Sequence, residues 1–142
     1  MNDQTSAPRD IIIDNSVADT FEALTTESDS AFKGMTRKDL FVLAAAIGFD
    51  QGLQQKIESR HALANLSSLS DDQRWVLKAI AIKKSNHIDI LDNKREIYKI
   101  AGEFATGGVA YLDDLRTSPE NMWSHLSTDI IRLSQDIFDD DL

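Results

Sequence analysis

Between Leu40 and Ile47 the chain runs through LFVLAAAI, eight apolar residues with no polar one to face water. Thr36 and Asp39 stand ahead of the run in a variant of the capping-box spacing, and Gly48 or Gly52 ends the helix. A helix that is apolar all round must be enclosed by protein. The segment therefore predicts a buried central helix, with the rest of the chain arranged to cover it.

A chain of 142 residues, 42% of them hydrophobic, can enclose such a helix within a single core. The absence of cysteine removes disulfide frameworks, thiolate metal sites and cysteine nucleophiles, and suits a cytoplasmic protein. The start, MNDQTSAPRD, lacks the basic and apolar runs of a secretory signal. The longest apolar run is well short of the roughly 20 residues that cross a bilayer, so a soluble, cytoplasmic protein is expected.

Net charge is -9, but unevenly spread. Residues 1–32 hold seven acids and one base, residues 33–99 eight acids and twelve bases, and residues 100–142 nine acids and two bases. A basic middle between acidic ends suits either solvated helix faces or a phosphate-binding surface flanked by its own acidic segments.

Ile11, Ile12 and Ile13 are β-branched and favour a short strand or a peg docked on the core. Asn15 or Ser16 caps a helix carrying Val17, Phe21 and Leu24. The stretch from Leu53 to Leu69 reads as an irregular helix followed by a loop. Ser70 opens SDDQ, a capping box, and the helix behind it is expected to turn Trp75, Val76, Ala79 and Ile80 inward, with Arg74 and Lys78 outside. NHIDILD, residues 86–92, is an extended link or one helical turn.

A long helix from Asp92 or Asn93 keeps Ile97, Ile100, Ala101, Phe104, Gly108, Tyr111, Leu112 and Leu115 in helical spacing. Gly107 and Gly108 in mid-pattern predict a close backbone neighbour. Ser118 and Pro119 start a last helix, whose Trp123, Leu126, Ile130, Leu133 and Ile137 form a seam at spacings of three and four. That seam is a candidate protein interface, with a homodimer as one use and packing within the chain as the other. The expected fold is all-α, a single compact domain of five or six helices around the Leu40–Ile47 helix. Residues 1–14 form a flexible arm, 15–138 the helical domain and 139–142 an acidic tail.

Chemistry is sparse. His61, His87 and His125 have no metal-binding helical spacing, and His87 with Asp89 and Asp92 reads as a solvated link. Ser124 and His125 are adjacent, so on a helix they point about 100° apart and cannot serve each other. GEFATGG, residues 102–108, lacks the Lys and Ser or Thr of a phosphate loop. No catalytic residue, metal site or cofactor is expected. The candidate contact residues, for nucleic acid or for a partner, are Lys33, Arg37, Lys38, Arg74, Lys78, Lys83 and Lys84.

The segments FKGMTRKDLFVLAAAIGFDQG, SDDQRWVLKAIAIKKSNHIDILDNK and EIYKIAGEFATGGVAYLDDL, in this order, resemble the DNA phosphorothioation (dnd) system-associated protein 4 family. The resemblance spans roughly Phe32 to Leu115. It implies a prokaryotic antiphage setting that distinguishes sulfur-modified from unmodified DNA, and an accessory protein with no catalytic residues to carry over. The resulting expectation is a non-enzymatic adaptor that contacts larger proteins of the defence system, with at most weak DNA contact. The alternative is a small DNA-binding regulator that uses the basic middle segment.

Overall fold

The computed structural model describes residues 6–116, 130–133 and 135. Its regular elements are β1 (Asp10–Asp14), α1 (Ala18–Thr26), α2 (Arg37–Gln51), β2 (Arg60–Asn65), α3 (Asp71–Ser85) and α4 (Lys94–Arg116). Three short 3-10 turns join them, at Asn15–Val17, Leu66–Ser68 and Ile88–Asp92.

The protein is mostly helical, but the all-α expectation needs correction. β1 and β2 form a two-stranded antiparallel sheet. Asp10–Asp14 therefore belongs to folded structure, with Ile11 and Ile13 in the core, although the sequence division assigns it to the flexible arm. The partner strand lies where an irregular helix and loop are expected. Leu63, Leu66 and Leu69 have helix-like spacing, yet each is buried from a different local geometry: Leu63 from the strand, Leu66 from the 3-10 turn and Leu69 from the residue that follows it. The register pairs Ile11 with Ala64 and Ile12 with Ala62, so Leu63 is the extra residue of a bulge and points into the core.

Helix α2 starts as its sequence directs. The Thr36 hydroxyl accepts the Asp39 amide at 3.3 Å, and Gly52 closes the helix in the left-handed region at φ 69°. Asp39 does not reach back to complete a box; its carboxylate accepts from Gln73 Nε2 at 2.7 Å, tying α2 to α3. The full capping box is on α3, between Ser70 and Gln73. α1 follows a turn that Asp14, not Asn15 or Ser16, caps. Asn93, not Asp92, accepts the Glu96 amide at the start of α4.

The core is centred on a pair of helices rather than on one. α2 packs along α4, and α4 also meets β1, α1 and α3. A methyl group at Gly108 would overlap the Ala44 carbonyl oxygen and lie 2.9 Å from the Gly48 nitrogen, so the two backbones touch without side chains between them. The close approach expected of the Gly107–Gly108 pair is present, and Gly107 itself meets the Leu53 carbonyl. Phe49 and Phe104 add an edge-to-face contact at 5.5 Å.

Trp75, expected inside, is 56% exposed. Ile80 is buried as expected and Val76 and Ala79 pack partly buried against the core, while Leu77 and Ala81 complete the inward face and Trp75 lies roughly 140° around the axis from Ile80. Of the expected seam, Leu133 is buried in this chain's own core and Ile130 is exposed, while Trp123, Leu126 and Ile137 lie outside the described residues. The Ser118–Pro119 start and the acidic tail lie outside them as well. Arg132, next to Leu133, bonds the Asp50 carboxylate at the end of α2, with its Nε at 3.2 Å from Oδ1. No described helix is long and apolar enough to cross a membrane.

Candidate functional site

The seven cations singled out from sequence do not form one surface. Lys33 and Arg37 are exposed near the start of α2, whereas Lys38 donates to the Ser68 carbonyl at 2.8 Å. Arg74 reaches the Ser67 carbonyl at 3.4 Å and Asp71 at 3.9 Å. Both side chains thus hold the 3-10 turn between β2 and α3. Lys78 lies over the Trp75 ring, 4.5 Å from its centroid. Lys83 and Lys84 are at the far end of α3, at least roughly 14 Å along its axis from Arg74.

A different set of cations converges. The outer face of β1, the connection after α2 and the first half of α4 enclose a cleft of about 560 Å³. Lys56 comes from the connection, Arg60 from the start of β2, and Arg95 and Lys99 from successive turns of α4; all four line the cleft and all four are exposed. Ile12 and Ile57 supply apolar walls, and Tyr98 and Glu103 line the interior. Asp10, also at the edge, is paired with Arg9 at 3.0 Å. In a chain of net charge -9, this is a local reversal of sign.

The walls are fixed by polar contacts that sequence spacing does not reveal. Glu103, 8% exposed, accepts from Gln54 Nε2 at 2.7 Å through Oε1, and its carbonyl accepts the Gln55 amide at 3.1 Å. Gly102 admits the Ile12 carbonyl against α4, since a methyl group there would overlap it. Asp14 is the latch between the walls. Its Oδ1 accepts the Glu58 and Ser59 amides at 2.8 and 3.0 Å, and its Oδ2 accepts the Ser16 amide and hydroxyl. The Ser16 hydroxyl above all, and then the Ser59, Ser16 and Glu58 amides, hold this carboxyl well below the usual carboxylate range. Behind it, Thr106 donates to the Gly102 carbonyl at 2.7 Å and accepts the Asp14 amide at 3.2 Å.

Burial pushes the Tyr98 phenol up, and the positive charge of Arg74 partly opposes that shift. The phenol stays protonated at neutral pH and is available as a hydrogen-bond donor. Arg74 Nε is buried with no acceptor among the described residues. No cluster of three or more His, Asp or Glu among the described residues is placed to hold a metal ion. His87, Asp89 and Asp92 are exposed around the turn before α4.

Arg95 and Lys99 sit at i, i+4 with Tyr98 between them, which is the sequence signal for this face of α4. Lys56 and Arg60 share the same spacing but lie outside any helix, on either side of a bend at residues 58–59, so their convergence on α4 depends on the sheet.

The architecture is that of a small, mostly helical protein with a cationic cleft, and the sequence places it more narrowly. The chain belongs to the family of DNA sulphur modification system-associated protein 4, whose model matches residues 11–137. The match extends beyond the Phe32–Leu115 resemblance on both sides and takes in Ile11, Ile12, Ile13 and Asp14 of β1. No curated protein and no solved structure matches the chain.

Proposed function

We propose that this protein is a non-catalytic accessory component of a DNA sulphur modification system, acting in the cytoplasm as an adaptor for the system's larger, DNA-handling proteins in defence against unmodified DNA. The family assignment supports the setting. The observation that carries the adaptor reading is Trp75, which is 56% exposed while α3 is otherwise anchored by Leu77 and Ile80. Tryptophan is enriched among residues that dominate protein interfaces, and Lys78 over the ring keeps it in a defined position for a partner.

Affinity capture from the native cell tests this directly. The wild-type chain is expected to retain larger proteins of the system, and Trp75→Ala to lose them without loss of helix content. Unchanged capture by the variant, or DNA cleavage or nucleotide turnover by the purified protein alone, overturns it.

The regulator reading is weaker, because Lys38, Arg74 and Lys78 are engaged with Ser68, Ser67 and Trp75 within the protein. Titration of duplex DNA at two salt concentrations separates the two. A regulator binds tightly with a steep salt slope, whereas the adaptor binds duplex weakly.

A further inference from the structure

The cleft is graded from charge to enclosure. Lys56, Arg60, Arg95 and Lys99 are exposed along it, whereas Tyr98 and Glu103 are 5% and 8% exposed. Glu103 is more than nine-tenths buried and lines the cavity; Gln54 occupies its Oε1, and Oε2 has no protein donor among the described residues. Oε2 is not a buried unpaired atom but opens to the cleft, where it can accept an N–H from a ligand.

A matching ligand has an anion at one end and, at the other, a flat body that fits beside Ile12 and Ile57 and presents a hydrogen-bond donor. Inorganic phosphate would meet only the cations. A simple hydrocarbon would leave both the cations and Glu103 unmet.

The geometry points to a single nucleotide unit: phosphate among the Lys and Arg side chains, and a base bearing an exocyclic amino group against Glu103. The cavity, about 560 Å³, lies within the range of small-molecule sites. Carboxylates read the exocyclic amino group of cytosine in the same way. Adenine and guanine also carry such a group, and thymine does not. The unit can be a free nucleotide or one residue of a single strand, since both present the same chemistry. Trp75 does not line the cleft, so this inference and the adaptor reading fail independently.

The test is calorimetric titration of the full chain with deoxycytidine, deoxyadenosine, deoxyguanosine and thymidine monophosphates, inorganic phosphate, and a short mixed-sequence single strand. The amino-bearing nucleotides are expected to bind at least about tenfold more tightly than thymidine monophosphate, the scale of one hydrogen bond to a charged group. Lys56→Ala with Lys99→Ala should weaken binding at least about tenfold and flatten its salt dependence. Glu103→Gln should abolish the preference among bases. Binding of mononucleotides identifies the free nucleotide as source; binding of the strand alone, with the same variant effects, identifies DNA.

No binding by any of these at millimolar concentration overturns the proposal, as does phosphate binding as tightly as the nucleotides. Unchanged affinity in the double-lysine variant also overturns it. Should Glu103→Gln fail to fold, the base preference of the wild type and the double-lysine variant decide the matter, because both lysines are exposed.

Discussion

Helix α4 presents two opposite faces to the protein, and they are built on different principles. Toward α2 it offers Gly108 and Phe104, and the backbones meet with no room for one added methyl. Toward the cleft, roughly 140 to 180° around the axis, it offers Arg95 and Lys99 on an exposed surface. The first face fixes the fold and tolerates no added atom. The second costs the fold little to vary, and is therefore the side on which binding can be tuned.

The largest expected effect belongs to the dry face. Gly108→Ala drives a methyl into the Ala44 carbonyl, and neither backbone can yield without moving a whole helix. A loss of about 3 kcal/mol is expected in urea unfolding. A variant as stable as the wild type would show that the two helices can separate, and the contrast between the faces would fall.

Asp14→Asn acts where the two regions join. Both Asp14 oxygens accept hydrogen bonds, so an amide must turn its NH2 toward a donor. Because the folded carboxyl titrates below its unfolded value of about 3.9, its contribution is full above that pH and is lost as pH falls through the folded value. The wild type should thus lose stability on acidification below about pH 4 more steeply than the variant, which starts lower at neutral pH. Equal slopes in acid unfolding would remove Asp14 as the latch.

Ser70→Ala removes the capping box at the start of α3 and should cost about 1 kcal/mol by the same unfolding measurement. At the small end, Lys56→Ala and Lys99→Ala should each change stability by no more than about 0.5 kcal/mol, since both side chains are exposed. A larger loss in either would mean that the cleft face supports the fold as well.

What the sequence reveals follows the same division. The apolar run at Leu40–Ile47, the cap at Thr36 and the Gly107–Gly108 pair are local signals, and each predicts the packing that is found. β2 escapes because its residues, RHALAN, carry little β-branched character; it becomes a strand by pairing with β1. Trp75 misleads because a large apolar side chain next to Val76 and Leu77 reads as core, while the smaller Leu77, Ile80 and Ala81 take the inward stripe. The cleft is legible only in part. Arg95 and Lys99 share a helix face, but Lys56 and Arg60 reach them through a chain reversal that Asp14 secures from more than forty positions away.

That carboxylate also determines when the cleft exists. Its walls come from residues near 10, between 54 and 60, and between 95 and 103, so an incompletely folded chain has no such cavity. A molecule that occupies it binds the native state alone, and occupancy is then converted into global stability by mass action, about 2.7 kcal/mol at a hundredfold excess over Kd. Asp14, by joining two of those walls, lies on the path that links occupancy of the cleft to the stability of the fold.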